Sequence, residues 1–166
     1  MAIADIESTI ISILQTALPD IQIEGFPERP SDYKLMHPIG ALLVRYAGAK
    51  YGEPLTTNTC MQWRTIEFEI ILIMRHLRRD YEGAYAYIDT VRSALIGYAI
   101  NGQKFYGVKE EFITEMAGVW QFGITFAIKQ MSFGQRTNED PDYNVPLFVQ
   151  GTAINKTTND TVEVSK

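Results

Sequence analysis

Glu67 and Glu69 lie two residues apart in M-Q-W-R-T-I-E-F-E-I-I-L-I-M-R, the stretch from Met61 to Arg75. On a strand they would share one face, about 6.6 Å apart along the backbone. Paired carboxylates can carry glycosidase-like acid/base chemistry when their environments split their pKa values. Nothing near them in sequence supplies a binding groove, so two solvent-facing strand glutamates is the better reading. His37 and His76 each lack a Cys, Asp, Glu or His at zinc-site spacing and read as structural or solvated. Cys60 has no histidine nearby and reads as an inert thiol. Lys34, Arg64, Arg75, Arg78 and Arg79 are not interleaved with aromatics as a single-strand nucleic-acid platform requires. Gly97 to Gly102 matches no phosphate-binding loop. The residues therefore offer no catalytic centre, no metal site and no cofactor site.

The same stretch is more informative as architecture. Ile66, Phe68, Ile70, Leu72 and Met74 alternate with Thr65, Glu67, Glu69, Ile71 and Ile73. Period-two spacing of this kind predicts a strand with one face on a core. The other face begins polar and ends apolar, so Ile71 and Ile73 are a candidate contact surface for a partner. A second long strand is predicted over 119–131, with Trp120, Phe122, Ile124, Phe126 and Ile128 on one side. These two strands, 62–75 and 119–131, are expected to be neighbours and the longest in the sheet.

Two helices can cover the apolar face. Ile3, Ile6, Ile10, Ile13, Leu14 and Ala17 form a stripe over residues 3–18, ended by Pro19. Tyr85, Ile88, Val91, Leu95 and Ile96 form another over 81–96, with Asp80 as expected N-cap and Gly97 as the left-handed residue after the last turn. Ile21 and Ile23 mark a short strand, and Ala41 to Tyr46 an interior one. Ala47 to Thr59 reads as a long exposed loop. Asn101-Gly102 marks a turn, and Phe105 to Met116 one or two short strands. After Gly134 no stripe can be drawn. Leu147, Phe148 and Val149 are the one apolar cluster there, and a hairpin is expected to turn near Asn155 to Asn159. The expected fold is α+β: a single two-layer domain, 1–133, with a mixed, mainly antiparallel sheet covered on one face by two helices, then an extended C-terminal arm, 134–166.

Composition narrows the function classes. The chain has 166 residues, with 15 basic and 20 acidic side chains and a formal charge of −5. An acidic balance argues against gripping duplex DNA, which needs a basic face. A lone cysteine builds no internal disulfide and suits a reducing compartment. Asp5 and Glu7 replace the basic start of a signal peptide, and no apolar run approaches a membrane span. The sequons at Asn155 and Asn159 then read as chance matches in a polar tail. A soluble chain of the cytoplasm is expected.

Several short signatures occur in order: Gly25-Phe26-Pro27, His37-Pro38-Ile39-Gly40-Ala41, Val44-Arg45-Tyr46, Gly83-Ala84-Tyr85, Arg92 to Gly97 and Gly118-Val119-Trp120. Over residues 3 to 131 the chain resembles a family of small structural proteins of Mu-like contractile-tailed phages and prophages, itself similar to the tail terminators of long-tailed phages. The resemblance implies a virion protein, made in the host cytoplasm, that caps the tail tube as a hexameric ring. It implies that this ring stops tube polymerisation and presents the surface joining neck and head. Implied partners are further copies of the chain, the tail tube protein, and the sheath and neck proteins. Genome DNA would pass through the ring without specific binding, and no membrane is involved. Ile71, Ile73, Leu147, Phe148 and Val149 are the expected subunit or partner interface. Two alternatives stay open: another neck or head-completion ring component, and a small ligand-binding or enzymatic α+β domain.

Overall fold

A computed structural model describes residues 2–30, 33–55, 61–78 and 83–134, with the backbone of strands at 147–149, 152–154 and 161–163. The chain divides into two compact units. The first comprises Met1–Gly52 and Trp63–Gln130, the second Glu53–Gln62 and Met131–Lys166.

The first unit is built on a mixed, mainly antiparallel sheet of five strands in the order β1-β2-β3-β7-β6. These are β1 (Gln22–Gly25), β2 (Gly40–Pro54), β3 (Gln62–Met74), β6 (Tyr106–Met116) and β7 (Val119–Ser132). Helices α1 (Ile3–Ala17) and α2 (Ala84–Leu95) lie against its inner face, which gives the expected α+β class. Ile66, Phe68, Ile70, Leu72 and Met74 of β3 are all fully buried, as the alternation requires. Ile124, Phe126 and Ile128 of β7 join them, with Ile6, Ile10 and Leu14 of α1 and Val91 and Leu95 of α2. At about 1.5–3 kcal/mol for each fully buried large apolar side chain, this cluster is the main source of stability. Trp120 and Phe122 are only half-buried, so the apolar face of β7 runs past the helical cover at its first residues.

The ends of these elements follow local rules. Asp5 accepts a hydrogen bond from the Ala2 N–H, 3.0 Å, and closes the first turn of α1. The Leu18 N–H donates to the Leu14 carbonyl, 2.8 Å, before Pro19 stops the helix. Gly97 follows α2 at φ +83°, as expected of a left-handed C′ position. Ala117 and Gly118, at φ 51° and 81°, form the two-residue turn joining β6 to β7. Asn101-Gly102 does the same between β4 (Ala99–Ile100) and β5 (Gln103–Lys104).

Four expectations need correction. Residues 47–54 are not a loop but the continuation of β2, which at 15 residues is the longest strand, ahead of β7 with 14 and β3 with 13. The neighbouring strand β3 gives β2 a hydrogen-bonded partner, and this tertiary pairing overrides the turn-like composition of Ala47 to Pro54. Residues 106–116 form one long strand rather than the one or two short ones expected over Phe105 to Met116, interrupted by register shifts at Gly107/Lys109 and Phe112/Thr114. Helix α2 starts at Ala84 after Gly83, with no side-chain cap, and not at Tyr81. The expected cap, Asp80, lies outside the described residues, as do 56–60.

In the second unit β8 (Leu147–Val149), β9 (Thr152–Ile154) and β10 (Thr161–Glu163) form an antiparallel sheet in the order β10-β9-β8. β9 and β10 pair antiparallel on either side of the hairpin turn expected near residues 155–159, which themselves lie outside the described residues. The region read as an extended arm thus carries a small sheet of its own.

Candidate functional site

The carboxylates that most resembled an acid/base pair are each tied to a cation on the next strand. Glu69 on β3 pairs with Arg45 on β2, and Glu67 with Lys50, 2.9 Å away. The hydrogen bond from Lys50 to Glu67, and then the carboxylate's charge, raise the lysine pKa above its ordinary value. Both carboxylates are matched by a cation in the same way, so the geometry does not set one apart as acid and the other as base.

The remaining titratable candidates are dispersed. The His37 Nδ1 accepts from the Ile39 N–H, 3.3 Å. The carbonyl of His76 accepts from the Ala84 N–H at the start of α2, 2.9 Å. Arg75 donates to the carbonyls of Leu35 and His37, at 3.1 and 3.4 Å. Arg78 lies over the Tyr85 ring, 5.8 Å from its centroid, and Arg64 donates to Gln130, 3.0 Å. Among the described residues no group of three His, Cys, Asp or Glu side chains could hold a metal. Cys60 and Arg79 fall outside them. No helix among the described residues is long and apolar enough to cross a membrane.

Among the described residues the fold builds, with smaller hollows, two surface grooves and an open edge. The first groove, about 380 Å³, lies on the sheet face opposite the helices. Leu43, Ile71, Ile73 and Ile113 line it from the sheet, and Phe26 and Tyr33 from the segment after β1. Ile71 and Ile73 alternate out of the helical core because of strand geometry alone. The structure therefore brings these two expected contact residues together in one apolar groove. Ile73 is 7% exposed, so the groove already shelters it, while Ile71 is more open. Arg45 stands at the same groove, its guanidinium 5.4 Å from the Phe26 ring centroid. The Tyr33 hydroxyl is buried without a hydrogen-bond partner. Burial first, and Glu24 second, raise its pKa, so the phenol stays protonated.

The second groove, about 450 Å³, runs between α2 and the β6–β7 hairpin. Tyr85, Phe112 and Phe122 form its aromatic wall, with edge-on ring centroids 6.4 Å and 5.6 Å apart. Arg92 closes one side, bridging Glu110 at 2.9 and 3.1 Å and Asp89 at 2.9 Å. The open edge is β6, where every residue but Thr114 is exposed. The other expected contact residues, Leu147, Phe148 and Val149, form β8 and pair with β9.

Sequence reasoning missed Tyr33, Phe26 and the aromatic wall. Each depends on segments far apart in the chain, and no local spacing announces them.

Comparison with known proteins gives one family. A family model described as Gp37 protein matches residues 10–150. No curated protein matches the chain. Among solved structures, a chain from the virion of a native gene transfer agent (GTA) particle is similar at 14% identity and a TM-score of 0.42, over 71% of this chain and 84% of that one.

Proposed function

We propose, from the premise that the chain belongs to the Gp37 protein family, that it is a structural protein of a phage-type virion and acts as the tail terminator. In this role it assembles as a hexameric ring on the last ring of the tail tube. The ring ends tube polymerisation and offers its far side to the neck and head.

The observation that carries this reading is a pair of unlike contact surfaces on one small sheet. A head-to-tail ring needs two different patches on each subunit, one to give and one to receive. The groove around Ile71 and Ile73 lies on the uncovered face, and β6 lies at the sheet's edge. The ordered resemblance to tail-terminator-like phage proteins supports the same role.

Sedimentation of the purified protein with and without isolated tail tubes tests the assembly. A monomer that converts to a six-fold ring on tubes, or a ring in both samples, is expected. A tight two-fold dimer that leaves tubes bare would exclude the terminator role.

A further inference from the structure

The two edges of the five-stranded sheet differ in kind. β1 is four residues long and is closed by α1. Gln15 Nε2 donates to the Ile23 carbonyl, 3.1 Å, and a Cβ placed on Gly25 would lie 3.0 Å from a carboxylate oxygen of Glu7. At the opposite edge β6 is eleven residues long and, among the described residues, pairs on one side only, with β7. Val108, Phe112, Ile113 and Met116 stand 44–68% exposed along it. Such an edge presents a row of unpaired backbone groups that another strand can complete.

Edge strands are commonly protected by charges and bulges. β6 has both, but they frame a window. The register shifts at Gly107/Lys109 and Phe112/Thr114 leave Lys109 to Phe112 in regular register between them. The charges inside that window are already matched, Lys109 by Glu111 and Glu110 by Arg92. An incoming strand therefore meets no unbalanced charge, and a short uncharged one fits best. The small sheet of the second unit ends in two three-residue strands. One, β10, ends in Glu163; the other, β8, is Leu-Phe-Val and, among the described residues, pairs only with β9.

We propose that the β6 edge of one copy receives β8 of a second copy, with Leu147–Val149 lying along Lys109–Phe112. The inference rests on the ring reading and adds to it a strand-pairing contact at β6, separate from the groove around Ile71 and Ile73. β6 and β8 are different surfaces of the chain and can therefore pair head to tail.

Paired single-cysteine variants test the contact in the full-length chain carrying Cys60→Ser. One sample carries Phe148→Cys; four others carry Lys109→Cys, Glu110→Cys, Glu111→Cys or Phe112→Cys. Residues opposite one another on antiparallel strands lie about 4.5–5.5 Å apart at Cα, within disulfide range. Mild oxidation of a mixture should give a disulfide-linked pair of twice the monomer mass for at least one β6 position. Absence of any cross-link while the parent chain forms rings on tubes would overturn the β6–β8 contact and leave the terminator reading intact. A β6 variant that links only to itself would overturn it too, since the edge would then be pairing two-fold. If the parent forms no ring but the mixture cross-links, the contact stands and the terminator reading falls. With neither ring nor cross-link, both fall.

Discussion

Arg45 on β2 and Glu69 on β3 form an ion pair across the uncovered face of the sheet, and the same guanidinium rests over the ring of Phe26. The pair ties two central strands to the segment after β1, at the mouth of the Ile71–Ile73 groove. The arginine side chain is 47% exposed, so solvent screens much of the attraction. Arg45→Ala should cost about 0.5–1.5 kcal/mol, combining an exposed ion pair with a cation–π contact. Urea denaturation measures this; a loss above about 3 kcal/mol would mean that the pair is buried in solution.

Phe68 and Phe126 occupy neighbouring central strands and are 0% and 1% exposed. Phe68→Asp or Phe126→Asp would bury an unpaired carboxylate and should abolish cooperative unfolding. Phe68→Ala should retain the fold at a cost of about 3–5 kcal/mol. A melting curve for either aspartate variant that matches the parent would show the inner face to be wrongly assigned.

Gly40 and Gly97 should respond differently to alanine. A Cβ on Gly40 would lie 2.5 Å from the Ile73 carbonyl and closer still to the Met74 sulfur, so backbone must move. Gly97 has nothing within 4 Å, but its φ of +83° strains any other residue. Gly97→Ala should cost about 1–2 kcal/mol from that conformation alone, and Gly40→Ala more. Equal losses in chemical denaturation would contradict the close packing at Gly40.

Alkaline pH should loosen the fold through Tyr33 and Lys50. Both carry a folded-state pKa raised above the ordinary values of 10.0 and 10.5. A raised folded pKa contributes stability that is complete below the ordinary value and lost as pH rises through the folded value. Stability should therefore be flat from neutral pH to about pH 9.5 and fall above it. Tyr33→Phe removes a buried hydroxyl without a partner, so it should leave neutral-pH stability unchanged or slightly higher and flatten the alkaline decline. A marked destabilisation by Tyr33→Phe at neutral pH would show the hydroxyl to be satisfied.

Removing residues 134–166 should leave the five-stranded sheet and both helices folded, because the core built by the described residues closes with side chains that precede Gly134. It should weaken ring formation on tail tubes, because β8 is lost. Circular dichroism and a tail-completion assay check the two halves. Unfolding of the truncated chain would place the second unit in the core, and normal completion would make it dispensable.

The legible parts of this fold are those where burial writes a period into the chain. β3 could be read residue by residue, since Ile66 to Met74 meet the core on one side and ion pairs on the other. Asn101-Gly102 and Gly97 were readable because positive φ restricts residue choice. The second half of β2 was not. Ala47-Gly48-Ala49-Lys50-Tyr51-Gly52-Glu53-Pro54 looks like a loop, and its strand comes from pairing with β3. β6 was obscured in the same way, as both its faces are largely exposed and carry no alternation. Of the candidate surfaces, the apolar end of β3 could be found from Ile71 and Ile73. The groove around them could not, because Phe26, Tyr33 and Ile113 reach it from distant segments.

The length of tail tubes assembled without this protein tests its proposed role most directly. Electron microscopy of such particles should show tubes longer than normal and lacking a capping ring, with normal length restored by adding the protein back. Tubes of normal length that merely fail to join heads would contradict a terminator and assign the chain to the neck or head-completion machinery.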